Sequence, residues 1–186
     1  MFISQIVGFD SLDLYVSKHH ILFTSCAENS HMNSGVTRLS ISLRSAEFPV
    51  WNTCDGPDIS PELRVRGLRS EMRSIAIFAL NPFEPGCSFT TWIIWNLPAI
   101  PLIPEGIPPE GVVTNPVPAV QGTNDYGTIG WRGPCPPRGE IHRYLFKVYG
   151  LDGMLDLPAG ALKQDLIDAM RGHVLGFGET AATCSR

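Results

Sequence analysis

The chain has 186 residues, of which 44% are hydrophobic and only 17% charged, with a formal net charge of −4. That length fits one domain with a sizeable core; the apolar content excludes a disordered chain, and the mild acidity excludes a basic footprint for nucleic acid or an anionic membrane surface. Eighteen glycines and sixteen prolines without a repeat period exclude collagen and imply many turns and few long helices.

Residues 1–35 differ in texture from the rest of the chain. They show no amphipathic period and end in a polar run from Glu28 to Gly35. They read as an extension, either a misassigned start or a loosely packed arm, with 36–186 as the folded domain. The N-terminus has no positively charged lead, and Asp10 and Asp13 interrupt its apolar run, so no secretory leader is expected. No apolar run is long enough for a transmembrane helix. A cytoplasmic location is the expectation.

From Thr37 the pattern turns to strand. Leu39, Ile41 and Leu43 alternate with Ser40 and Ser42, as in a half-buried strand. Ile75–Leu80 and Trp92–Leu97 are continuous apolar runs of strand length. Residues 98–118 hold seven prolines, which excludes a helix or a central strand and predicts a long, stiff surface connection. His142–Tyr149 alternates again, with His142, Tyr144, Phe146 and Val148 on one face. One helix is predicted, starting at Pro158, with Leu162, Leu166, Ala169 and Met170 as its apolar stripe and Gly172 as its stop. Turn-rich stretches at 55–58, 81–82 and 133–139 separate these elements. The sum is a mainly β protein, an antiparallel β-sandwich of two sheets with a C-terminal helix.

The five cysteines are odd in number and include no C-x-x-C pair, so free thiols in a reducing compartment are expected rather than a disulfide framework. The five histidines include no metal-ligand spacing, and neither a metal nor another cofactor is expected. No G-x-S-x-G, P-loop or H-E-x-x-H motif marks an enzyme.

The turn-rich segments carry a more specific signal. Thr53-Cys54-Asp55-Gly56-Pro57-Asp58-Ile59-Ser60-Pro61-Glu62-Leu63 is one block, and Phe89-Thr90-Thr91-Trp92-Ile93-Ile94-Trp95-Asn96-Leu97-Pro98 is a second. Gln121-Gly122-Thr123-Asn124-Asp125-Tyr126-Gly127 is a third. Gly133-Pro134-Cys135-Pro136-Pro137-Arg138-Gly139 then leads to His142-Arg143-Tyr144, and Ala169-Met170-Arg171-Gly172-His173-Val174-Leu175 closes the series. In this order they resemble the phosphatidylethanolamine-binding protein family, in particular its bacterial and archaeal Raf-kinase-inhibitor-like (YbhB/YbcL-type) branch. The resemblance covers about residues 37–186.

It implies a small pocket at one end of the strands for a phosphate, phosphoryl ester or similar anion, in a family with no established reaction. The implied ligand-binding residues are His142, Tyr144, Asn81, Thr91, Pro136, Pro137, Glu84 and Pro85. An imidazole and a phenol can both donate to an anion, and the two prolines would form a stiff wall. Cys54 and Cys135 are expected as buried thiols. Asp55 and Asp58 are read as turn formers, and His173 as fixing the helix end.

The chain departs from the family pattern at the site. Asn81-Pro82-Phe83-Glu84-Pro85 stands where D-P-D-x-P is usual, Thr91 replaces a histidine, and Cys184 replaces a tyrosine. An Asp beside an imidazole orients it and adds charge, whereas an Asn only orients it. Losing carboxylates eases the approach of a phosphate, but losing an imidazole donor removes a hydrogen bond worth about 1.5–3 kcal/mol when charged. The expected function is a non-enzymatic binding protein with a partly degenerate anion pocket; the alternative is an inhibitor of a kinase or protease acting through surface loops such as 98–118. The expected partners are a small anionic or phosphorylated ligand, a kinase or protease in the second reading, and a second copy of the chain as homodimer, with no nucleic acid.

Overall fold

The computed structural model describes residues 35–82 and 88–186. Most of the expected extension, along with Phe83, Glu84, Pro85 and Cys87, lies outside the described residues.

Two sheets face each other. The larger is built from β1 (Thr37–Arg38), β4 (Ser74–Asn81), β5 (Phe89–Pro98), β7 (Val112–Val113), β8 (Ala119–Gln121), β9 (Ile141–Leu151) and β10 (Val174–Ser185). Their spatial order is β1-β10-β9-β4-β5-β8-β7, antiparallel except for the β1–β10 pair. The smaller holds β2 (Ser40–Leu43), β3 (Leu63–Arg66) and β6 (Leu102–Ile103), in the order β2-β3-β6. The two-sheet antiparallel sandwich expected from the strand pattern is therefore present.

Alternation explains which side chains fill it. Ile41, Leu63 and Val65 point inward from the small sheet, while Ile75, Ile77, Trp92, Ile94, Phe146 and Val148 point inward from the large one. The continuous apolar runs in β4 and β5 are buried on both faces, which is why they lack alternation. Ala76, Phe78, Ile93 and Trp95 form the second face. There Phe78 meets Tyr149 edge-on with ring centroids 5.7 Å apart. Asn96 adopts φ 57° and clamps Leu155 with two hydrogen bonds, accepting from its N–H at 2.8 Å and donating to its carbonyl at 3.0 Å.

Four expectations change. The helix α1 runs Lys163–Ala169 and begins five residues beyond Pro158. Asp165 sets that start, because its Oδ2 accepts the Leu162 N–H at 2.9 Å; Gly172, at φ 83°, ends it as expected. The helix is also not terminal, since β10, the longest strand, comes after it. Gly176 and Gly178 hide this strand from a propensity reading. A Cβ on Gly178 would run into the Leu39 main chain and lie 2.9 Å from Ile41 Cγ1, so the small sheet crosses β10 at a point where no side chain fits.

The proline-rich segment is the third change. It supplies the edge strands β6 and β7 and buries Ile103, Ile107, Val113 and Val117, so it is not a plain surface connection. The fully buried Gln121 staples it. Its amide donates to the carbonyls of Pro108 at 2.7 Å and Glu110 at 2.8 Å, while its Oε1 accepts from Trp92 Nε1 at 2.7 Å. The fourth concerns cysteine. Cys54 and Cys135 form a disulfide with their Cα atoms 5.3 Å apart, where free thiols were expected. The absence of a C-x-x-C was a poor guide, because these partners are 81 residues apart and meet only through the fold. Among the described residues, Cys184 is a free and buried thiol.

Candidate functional site

The site forms where β9 begins. His142 and Tyr144 are both buried and, two residues apart, share one face of the strand. In the β9–β10 ladder, Cys184 lies opposite His142 and Ala182 opposite Tyr144. Asn81, the last residue of β4, brings its amide to His142, with Nδ2 3.4 Å from Nδ1. On the other side of the ring, Nε2 lies 2.8 Å from the Glu140 carboxylate. His142 thus has the Asn81 amide at one ring nitrogen and the Glu140 carboxylate, an acceptor, at the other.

Tyr144 is set deeper. Phe48 meets its ring edge-on at 5.9 Å, and Phe48 in turn contacts Trp131 and Phe146. Burial pushes the phenol up to about 12, while a hydrogen bond from the Cys135 main chain pulls the other way. Opposite His142, burial also raises the Cys184 thiol, with the Asp55 and Glu47 carboxylates adding to it and Arg186 opposing.

The wall over these rings is a loop held from several sides. The disulfide ties Cys135 to the loop of Cys54, and the Cys54 N–H donates to the Pro134 carbonyl at 3.1 Å. Asp58 accepts from the Gly133 N–H at 2.6 Å and pairs with Arg132 at 3.4 Å. Arg186 grips Asp55 with Nε and Nη2, both at 2.9 Å, and extends Nη1 to within 3.4 Å of Cys135 Sγ. Asp55 and Asp58, read from sequence as turn formers, thus act across the fold as tethers for the G-P-C-P-P loop. His173 pairs with Asp152 at 2.8 Å beyond the helix end.

Of the expected site residues, Asn81 and His142 touch, Tyr144 lies beside His142 along the strand, and Pro136 is buried in the tethered loop. Pro137 is exposed. Thr91 is fully buried and donates its hydroxyl to the Ala79 carbonyl at 3.3 Å, so it bonds the sheet rather than offering a hydroxyl to a ligand. Glu84 and Pro85 lie outside the described residues. A separate shallow cleft beyond Phe48 is lined by Glu47, Asn52, Glu62 and Glu105 and contains none of the expected residues. Its three carboxylates outnumber Arg44, which pairs with Glu62 at 3.5 Å, and make it a poor receiver of anions. Among the described residues there is no cluster able to hold a metal ion and no helix long and apolar enough to cross a membrane.

Glu140 is the residue that the sequence reading missed. It precedes His142 by two positions, so period-two spacing already puts Glu140, His142 and Tyr144 on one face.

A seven-stranded and a three-stranded sheet facing each other, with an imidazole and a phenol on one face of β9, define a β-sandwich domain. The sequence model described as phosphatidylethanolamine-binding protein matches residues 43–185. A UPF0098 protein of Pyrococcus horikoshii is 44% identical over 161 residues, spanning 83% of this chain and 81% of that protein. The crystal structure of CT736, a phosphatidylethanolamine-binding protein homologue from Chlamydia trachomatis, aligns with a TM-score of 0.68 and 30% identity, over 82% of this chain and 99% of its own. Escherichia coli YbcL shares the fold with a TM-score of 0.69 at 23% identity, covering 80% of this chain and 98% of YbcL. The chain belongs to the phosphatidylethanolamine-binding protein family.

Proposed function

We propose that this chain is a non-enzymatic binding protein that takes a small phosphate-like anion, free or as part of a phosphorylated molecule, at the His142–Tyr144 face of β9. One observation carries the reading: a buried imidazole and a buried phenol share one strand face. Imidazole N–H and phenol O–H are both donors, and an anion held by them needs no metal. The tethers from Asp58, Arg186 and the disulfide hold the loop in place before a ligand arrives, which lowers the ordering cost of binding. Family membership supports a binding role, and no motif in the sequence calls for catalysis.

The test is titration with inorganic phosphate, read by thermal shift and calorimetry. The wild type is expected to bind at millimolar concentration or below. His142→Ala should weaken binding roughly tenfold or more, given about 1.5–3 kcal/mol for a hydrogen bond to a charged group. Circular dichroism checks that the variant is folded. Saturation that is identical in wild type and a folded His142→Ala would overturn the site; no binding by the wild type or by variants at Glu140 would overturn the function.

A further inference from the structure

We infer that Glu140 is a built-in occupant of the anion site: its carboxylate holds the His142 Nε2 proton, and an incoming anion must displace it. The inference rests on the anion-binding reading above and names the step that limits affinity there.

Three observations lead to it. First, the His142 Nε2–Glu140 Oε2 distance of 2.8 Å is that of a full charge-assisted hydrogen bond, the bond a phosphate oxygen would make at the same nitrogen. A carboxylate only accepts, so in this contact Nε2 is the nitrogen that donates. Second, the main chain of Glu140 is fixed while its side chain is not. Its N–H donates to the Pro137 carbonyl at 3.1 Å, and its carbonyl accepts the Arg186 N–H at 3.3 Å. The side chain, by contrast, is 45% exposed, whereas that of His142 is 7% exposed. A change of rotamer alone therefore moves the carboxylate into water and leaves the donor behind on its strand. Third, among the described carboxylates near the site, Glu140 is the removable one. Asp55 is held by both Nε and Nη2 of Arg186, and Glu47 accepts the Ser185 hydroxyl at 2.6 Å, so each is anchored. Glu140 binds the imidazole directly, and its side chain is nearly half in water.

Two consequences separate this from a purely structural His–Glu pair. A structural pair, once cut, costs stability and leaves ligand binding unchanged or weaker. A competing carboxylate, once removed, strengthens anion binding, because the ligand no longer pays to break an existing bond or to approach a negative charge. The site would also discriminate by charge and not by shape alone. A dianionic phosphate can replace the carboxylate at Nε2, whereas a neutral alcohol or ester cannot compete for that proton.

The experiment titrates inorganic phosphate into wild type, Glu140→Gln, Glu140→Ala, and each Glu140 variant combined with His142→Ala. Calorimetry gives the affinity, and the imidazole nitrogen resonances of His142 report which partner Nε2 has. Both Glu140 variants are expected to bind phosphate about tenfold more tightly than wild type, with the gain lost when His142 is removed. In the wild type, phosphate should shift the His142 Nε2 resonance as Glu140 lets go. Equal, His142-dependent affinity in wild type and both Glu140 variants would overturn the occupant role and leave the anion site standing. Weaker binding in both would make Glu140 a positioning residue instead. Absence of binding in every variant would overturn the anion site and this inference with it.

Discussion

Replacing Cys54 and Cys135 together by serine removes a cross-link that closes an 81-residue span. The chain-entropy relation, applied to a loop of that length, gives about 4.5 kcal/mol at 25 °C, exerted on the unfolded chain. The native state has reason to change little. The two loops stay joined through Cys54 N–H to Pro134 O, Gly133 N–H to Asp58 and the Arg186–Asp55 pair, none of which needs the sulfur bridge. The loss should therefore appear as a destabilisation with a near-native fold. At roughly 2–4 °C per kcal/mol for a domain of this size, Tm should fall by about 10–15 °C. Urea denaturation of wild type, reduced wild type and Cys54→Ser/Cys135→Ser measures it. The reduced protein and the double variant should agree, and both should show a larger m-value, since an unbridged unfolded chain exposes more surface. Reductant should leave the double variant unaffected. A difference below about 1 kcal/mol between oxidised wild type and the double variant would refute the reasoning, because it would mean that the bridge places no constraint on the unfolded chain.

Two further predictions concern stability. Tyr144 in the folded state is pushed up to about 12 from an ordinary value of 10, so its contribution is fully present below pH 10 and is lost as pH rises from 10 through 12. The unfolded chain ionises first, which makes the loss about 2–3 kcal/mol, and Tyr144→Phe should flatten the stability profile over that interval in denaturation curves taken from pH 8 to 12; an unaltered profile would remove the assigned burial effect. Gln121→Leu strands the Trp92 indole N–H and takes a donor from two carbonyls of the proline-rich segment. It should cost about 3–5 kcal/mol by chemical denaturation, with amide exchange speeding up first around 108–121; a loss under 1 kcal/mol would show that the staple is dispensable.

The parts of the fold that were legible are those in which one physical pattern dominates. Alternation in His142–Tyr149 and the unbroken apolar runs of β4 and β5 mark strands because burial on one face or two leaves a direct trace in the residue order. β10 left no such trace. Its glycines are required by the close crossing of Leu39 and Ile41, and a propensity reading takes glycine as a break. The disulfide and the tethers of Asp55 and Asp58 were illegible for a different reason. Each joins segments more than 70 residues apart, and no local spacing encodes such a meeting. At the site, His142 and Tyr144 were readable from period two together with the family motif. Thr91 was misleading, because a substituted hydroxyl in a fully buried strand finds a main-chain carbonyl before it finds a ligand. Glu140 obeyed the same period as His142 and was passed over because it stood outside the motif.

The departures at Asn81 and the pairing at Glu140 make better sense together than apart. An aspartate at position 81 would put a charge at the end of β4, next to the buried imidazole, with its main chain fixed in the ladder to Phe89. Such a carboxylate could not leave when an anion arrived, and its repulsion would persist in the complex. An asparagine there keeps the orienting contact at Nδ1 and drops the charge. The Glu140 carboxylate binds the ring at its other nitrogen, from a side chain nearly half in water. In the anion-binding reading, this moves negative charge from a scaffold position, where it would oppose the ligand permanently, to a displaceable one, where it opposes the ligand only until it rotates away. The imidazole then has a partner in both states and is never left buried with an unsatisfied N–H, which would cost more than either exchange.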